Sequence, residues 1–391
     1  MIPITKAVFD ETDMQIIQEP LKSGWVVQGK YVKQFEDLFS EMCGAPHSVA
    51  VTSCTTGLHI AMAALGIKPG DEVLLPGFTW IATANCIEYF GAKPVFVDVD
   101  LKTFNIDINK IEEKITSRTK GIIPVHLFGL VADMDPIMAI AKKHNLFVVE
   151  DAACGFDSWY KGKHCGTFGD YNSFSFHPRK AITTGEGGMI TTMNEDNAAL
   201  CRTLRDHGAS RSDFQRHHQK YSFLLAQYHH LGYNFRMTDI QGALGVTQMQ
   251  KHKRIMEGRR RGAARYDEFL KNFEWLQLPF KHSDYKHGYQ SYVCLYMPEK
   301  PTLSNWEKLY NERNEIMANL ETKGIITRQG THAAALLDYY TNKYKTTKED
   351  LPNSFLSEML TITLPLFMDI TEEESNTVVS ELKKEFDSVR K

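Results

Sequence analysis

The chain has no Cys-x-x-Cys pair, no apolar run of membrane-spanning length, no surplus of positive charge and no Gly-x-Gly-x-x-Gly after its first strand. Each absence removes a class of protein. The seven cysteines, at 43, 54, 86, 154, 165, 201 and 294, are odd in number. They read as reduced thiols of a cytosolic protein, and leave neither a disulfide frame nor a zinc knuckle. Lys and Arg number 45 against 48 Asp and Glu, a net charge of −3. Nucleic-acid-binding domains are usually basic throughout, so no nucleic-acid partner is expected. The first residues, MIPITKAVFDETD, lack the basic stretch and apolar run of a signal peptide. With no stretch near the roughly 20 apolar residues of a membrane helix, the expectation is a cytoplasmic protein without a membrane partner. The missing glycine fingerprint disfavours an NAD-dependent dehydrogenase. Internal repeats and low-complexity tracts are also missing.

What is present is an alternation. At 391 residues the chain is long enough for a large core and two domains. From about residue 45 to 195, short apolar runs alternate with helical patterns. GLHIAMAALG carries Leu58, Met62 and Leu65 at helical spacing, and EVLLP follows as a strand. TANCIEYFGA reads as a helix, KPVFVDVD and KGIIPVHLFG as strands, MDPIMAIAKKHN as a helix and LFVVED as a strand. Strands that are nearly continuous apolar runs indicate a mainly parallel sheet covered on both faces, an α/β fold. Ligands bind such sheets at the carboxyl ends of their strands.

Beyond about residue 235 the pattern changes. One long helix is expected through DIQGALGVTQMQKHKRIMEGRRRGAARYDEFLKN, then a strand in YQSYVCLYMP, a helix around NEIMANLETKG, a strand IITRQ and a last helix from Thr371. This describes a smaller α+β domain. The expected division is an N-terminal segment, residues 1–40, packing on the small domain, a large domain over 41–240 and a small domain over 241–391. The polar stretch 202–220 reads as a basic loop.

Four places carry residues suited to one chemistry. In VVEDAACGF, Asp151 directly follows an apolar strand. It can be a cap, or a carboxylate that keeps a ring nitrogen protonated, as pyridoxal phosphate (PLP) requires to act as an electron sink. In SFSFHPRKAITTGEGGM, Lys180 stands between a strand and a glycine-rich turn. A lone lysine is usually a solvated charge, but an amine there can form a Schiff base with an aldehyde. Ser175, five residues earlier, can meet a phosphate. In VTSCTTGLHIAMAALG, Thr55 and Thr56 sit where a strand end enters a helix. They suit capping, and equally a phosphate at a helix N-terminus. Trp80, in PGFTWIATAN, can be core or can stack on a flat ring. Jointly these supply a phosphate cup, a ring stacker, a ring-nitrogen partner and a Schiff-base lysine.

SGWVVQGKYVKQFE, ALGIKPGDEVLLPGFTWIATAN, PVFVDVD, IIPVHLFG, EDAACGF, SFSFHPRKAITTGEGGMI and LGYNFRMTDIQGALG together resemble the DegT/DnrJ/StrS-type aminotransferases over almost the whole length. The resemblance implies fold type I, the aspartate-aminotransferase type. It has a large domain with a mainly parallel seven-stranded sheet, a smaller C-terminal α+β domain, and a homodimer with shared active sites. It implies PLP as cofactor, Lys180 as the Schiff-base lysine, Asp151 as the pyridinium partner and Trp80 as the stacker. Thr55, Thr56 and Ser175 become phosphate contacts, and Asn234 a residue reaching the neighbouring subunit's phosphate. Cys154 stands where relatives often carry Gln or Glu near the cofactor's 3′-oxygen, and Cys54 where they usually carry Gly.

Those two departures bear on cofactor tuning rather than on the main chemistry. His177, Arg328 and His332 match acceptor contacts, although Gln329-Gly330-Thr331 departs from the usual pattern there. The implied donor is L-glutamate. The implied acceptor is a keto-sugar nucleotide such as GDP-4-keto-6-deoxy-mannose, in the manner of GDP-perosamine synthases. A small phosphorylated ketone such as dihydroxyacetone phosphate also suits a basic pocket, and a non-catalytic PLP or sugar regulator is the alternative of another class. Arg202, Arg205, Arg211, Arg216, His217, His218 and Lys220 are candidates to meet a phosphate-bearing substrate.

Overall fold

A computed structural model of the chain describes residues 1–211 and 223–390. The apolar runs form the strands β1 (His47–Val51), β2 (Glu72–Pro76), β3 (Lys93–Val97), β4 (Thr119–Ile122) and β5 (Phe147–Asp151). The short pair β6 (Trp159–Tyr160) and β7 (Lys163–His164) comes next, then β8 (Tyr171–Ser175) and β9 (Gly188–Thr192). Seven of these make one sheet in the order β1-β9-β8-β5-β4-β2-β3. Its pairs are parallel except the two made by β9, which runs antiparallel to β1 and β8. This is the expected α/β, mainly parallel seven-stranded architecture. The C-terminal part adds β10 (Leu276–Gln277), β11 (Tyr285–Lys286), β12 (Tyr292–Tyr296) and β13 (Thr361–Leu364). β10, β12 and β13 form a small sheet, and β11 joins β6 and β7.

Both faces of the large sheet are covered, which is why its strands can be apolar throughout. On one face Phe39 packs edge-on against Phe174 at 4.9 Å, and Phe35 lies 4.9 Å from Phe176. These rings carry the helix Lys30–Cys43 onto β8 and its continuation. That helix also packs along the helix Asp239–Gln250. The Asp239 carboxylate accepts from the backbone N–H of Gly29 and Val32, so one helix caps the start of the other. The first residues reach the C-terminal part of the chain: Ile2 donates its N–H to Gly324 and Ile4 accepts from Leu366.

Three expected elements differ. The helix expected across 239–272 is two, Asp239–Gln250 and His252–Leu270. The break falls at Lys251, whose ammonium turns to Asp13 and, at 3.2 Å, to Asp10. The strand in KGIIPVHLFG stops at Ile122, because Pro124 has no N–H to give a ladder and Phe128 takes a left-handed φ of 58°. IITRQ makes only two isolated bridges, Ile325 with Ile2 and Arg328 with Thr363.

The basic stretch also divides. Arg202 lies on the helix Glu195–Leu204, which Arg205 ends. Arg205 is 3% exposed and donates to Glu36 and to the Ala50 carbonyl, both at 2.6 Å. It is a buried structural cation, not a loop charge. Arg216, His217, His218 and Lys220 lie outside the described residues. All seven cysteines are free thiols.

Candidate active site

The site forms where β5, β8 and β2 end. Asp151 is the last residue of β5 and is 4% exposed. Its Oδ1 accepts from the Ala153 N–H at 3.1 Å, and its Oδ2 from the Thr83 hydroxyl at 2.7 Å. The Cys54 thiol lies 3.8 Å from Oδ1 and 3.3 Å from the Ser173 carbonyl. Burial, and then the Asp151 charge, push that thiol well above the ordinary range. Cys54 therefore stays a thiol. Its side chain turns inward, toward Asp151 and Ser173.

Lys180 follows Ser175 in the loop between β8 and β9. That loop is closed by backbone bonds from Phe176 to Gly187 and from Thr184 back to Phe176. The Lys180 N–H donates to the His177 carbonyl, making the tight turn anticipated from the sequence. Its Nζ donates to Cys154 Sγ at 3.3 Å. Cys154 follows Asp151 by one short turn, so the amine is brought over the end of β5. His177 lies within the same turn, where its Nδ1 accepts from Arg179 N–H. Burial lowers its pKa, with Arg179 and Lys180 acting in the same direction against Glu186.

The phosphate-suited end is built by backbone. Ser53 caps the helix Cys54–Ala64 in a capping box with Thr56. The Thr56 hydroxyl is committed there, donating to the Ser53 carbonyl at 2.8 Å. The N–H groups of Cys54 and Thr55, at the first turn, have no hydrogen-bond partner among the described residues, the condition in which a helix start accepts an anion. Ser173 ties its hydroxyl to the Cys54 carbonyl at 3.0 Å, fixing that helix start on β8. Ser175 pairs with Gly188, and a Cβ on Gly188 would come within 2.4 Å of Ser53, so Ser175 lies beside the same cup.

Asn234 is exposed, and its neighbour Phe235 accepts from Thr52 N–H, which puts it next to the end of β1. The aromatic pair Tyr233 and Phe235, stacked at 5.0 Å, flanks it over His59.

Trp80 is 60% exposed and forms a wall. Its ring lies 5.7 Å from that of His332, tilted by 40°. The Thr79 N–H donates to the His332 carbonyl at 3.0 Å, so the Trp80 turn and the 329–333 loop are joined. Glu358 braces that loop: it accepts from Ala333 N–H at 3.0 Å and lies 3.4 Å from His332 Nδ1. Arg328 is exposed, with its backbone on Thr363. Thus the candidates on β5, in the lysine loop, at the helix start and on the Trp80 turn come together, with His332 against the last of these.

Sequence reasoning missed Thr79, Thr83 and Glu358. The hydroxyls of Thr79 and Thr83, four residues apart just beyond β2, were the available signal for the first two. Glu358 carries no local signal.

The residues fit PLP. A buried carboxylate with spare acceptor capacity, an amine above the same strand end, unpartnered helix N–H groups and an exposed indole are the donor set that cofactor needs.

The model of the DegT/DnrJ/EryC1/StrS aminotransferase family matches residues 8–383. The chain is 35% identical over 383 residues to GDP-perosamine synthase of Caulobacter vibrioides, covering 97% of each. It is 35% identical over 382 residues to the spore coat polysaccharide biosynthesis protein SpsC of Bacillus subtilis, covering 98% of this chain and 96% of that one. Among solved structures, Spr1654 of Streptococcus pneumoniae superposes in its PMP-form with a TM-score of 0.92 at 28% identity over 100% of both chains. Its PLP-form gives 0.90 at 28% over 99% of both. The chain belongs to the DegT/DnrJ/EryC1/StrS aminotransferase family and is a PLP-dependent aminotransferase of fold type I.

Proposed function

We propose that this enzyme moves an amino group from L-glutamate to a keto-sugar carried on a nucleotide, in the making of a surface polysaccharide. The observation that carries the proposal is the Lys180 amine held against Cys154 above the buried Asp151 carboxylate. The relatives named for perosamine and for spore-coat polysaccharide support a sugar acceptor.

PLP, when bound, supplies the electron sink. The chain does the rest. Asp151 would hold the ring nitrogen, kept protonated, through its spare lone pair. The helix start at Cys54 and Thr55, with Ser175, takes the phosphate. Trp80 would stack on the ring. The Lys180 amine would take a proton and return it elsewhere, as a positioned base and then acid. His332, Arg328 and His177 line the acceptor side. Asn234 is presented to a second copy of the chain, giving a homodimer in which each site borrows from its neighbour.

The test is a panel. PLP-loaded protein is incubated with L-glutamate and keto-sugar nucleotides, GDP-4-keto-6-deoxy-mannose among them, alongside dihydroxyacetone phosphate. Formation of 2-oxoglutarate is followed. Turnover with a keto-sugar nucleotide is expected. Turnover with the small ketone alone would overturn the sugar reading, and a protein that accepts an amino group from no amino acid would return it to a binder.

A further inference from the structure

The Asp151 carboxylate does not stand alone, and the groups behind it form a directed chain. The Thr83 hydroxyl lies 2.7 Å from Asp151 Oδ2, 3.0 Å from Thr79 Oγ1 and 3.0 Å from the Trp80 carbonyl. A hydroxyl has one proton, and the shortest contact is to an ionised acceptor, so that proton goes to Asp151. Thr83 oxygen must then accept, and the donor within reach is the Thr79 hydroxyl. Thr79 in turn gives its N–H to the His332 carbonyl at 3.0 Å. Thr79 is 1% exposed and Thr83 0%, so water does not compete for these bonds.

The bookkeeping of the carboxylate matters. An ionised carboxylate offers about four lone-pair sites. Oδ1 takes the Ala153 N–H; the Cys54 thiol, 3.8 Å away, has its one proton nearer the Ser173 carbonyl at 3.3 Å. Oδ2 takes Thr83 and keeps one site uncommitted. That remaining site suits a protonated ring nitrogen. Without the Thr83 hydroxyl, Oδ2 has no protein donor among the described residues, and the carboxylate is held only through the Ala153 N–H at Oδ1. The same two threonines bracket Trp80, so the acid under the ring and the indole beside it are set as one unit.

We propose that Thr83, oriented by Thr79, is a positioning residue that fixes the Asp151 carboxylate for the cofactor ring nitrogen and joins it mechanically to the His332 side of the site. The proposal rests on the assignment of Asp151 and Lys180 given above. A residue that merely filled space at the start of the helix Ala82–Glu88 would be replaced by valine without effect on the cofactor.

The experiment compares Thr83→Val, Thr83→Ser and Thr79→Val, with Asp151→Asn as reference. PLP is titrated into each apo-protein and the dissociation constant is read from absorbance. The pH dependence of the bound-cofactor absorbance and a single-turnover reaction with L-glutamate are recorded as well. Loss of one hydrogen bond to a charged group predicts that Thr83→Val weakens PLP binding about tenfold and moves the absorbance midpoint. Thr83→Ser should restore both, and Thr79→Val should move both in the same direction by less.

A folded Thr83→Val with wild-type affinity and an unmoved midpoint overturns the proposal while Asp151→Asn remains impaired. If Asp151→Asn is also unimpaired, the assignment of Asp151 itself fails. Should Thr83→Val not fold, Thr79→Val decides: a moved midpoint supports the relay and an unmoved one overturns it.

Discussion

The floor of the site and its mouth are built differently. The floor, Asp151 with Cys54 and Thr83, is almost fully buried, and the acid is held by the Thr83 hydroxyl on one oxygen and the Ala153 N–H on the other. The mouth, with Trp80, Arg328 and His332, is exposed and joined to the floor mainly through Thr79. The floor handles a chemistry that does not change between substrates, so rigidity costs it nothing. On the proposed function the mouth meets the acceptor, and its contacts are few and open to water, where small changes would alter specificity without disturbing the reaction centre.

That contrast can be broken most sharply at Lys180. Lys180→Ala should lower 2-oxoglutarate formation about 10⁴-fold and remove the absorbance of the lysine-bound cofactor. Retained turnover without added amine would remove Lys180 from the mechanism. Next, Arg205→Leu should lower stability by about 3–5 kcal/mol, because it leaves Glu36 charged and buried. Urea unfolding measures this. A change in acceptor KM without loss of stability would instead return Arg205 to the mouth.

Asp151→Asn should reduce the rate of the glutamate half-reaction up to about a hundredfold. Stopped-flow absorbance, with stability checked by thermal melting, reports it. The smallest effect is expected outside the floor. His332→Gln should raise the acceptor KM about tenfold, the value of one lost contact, with the glutamate half-reaction unchanged. An equal loss in both half-reactions would erase the distinction between the two regions.

Asp151 and Lys180 were legible in the sequence for a physical reason. A carboxylate directly after an apolar strand and a lysine before a glycine-rich turn are local patterns, and the parallel sheet brings the two together without further information. Thr83 was not legible. Its bond to Asp151 spans 68 residues, and a threonine near a helix start has an ordinary capping explanation. Arg205 was misread because charge in a sequence does not reveal burial, and its partner Glu36 lies on a distant helix. The break at Lys251 was hidden because helical periodicity runs through it, and the residues that draw Lys251 aside, Asp10 and Asp13, are at the other end of the chain. The mouth was legible only as isolated residues, since Glu358, which braces His332, carries no motif.

Gly188 sets a limit on how this protein can vary. The chain at β9 runs directly beneath Ser53, and even a methyl group there would strike backbone rather than a yielding side chain. The anion-receiving turn is therefore cast against its neighbouring strand with no clearance. On the proposed function substrate preference would have room to drift at the rim, while the proposed phosphate seat could be remodelled only by moving two pieces of main chain together.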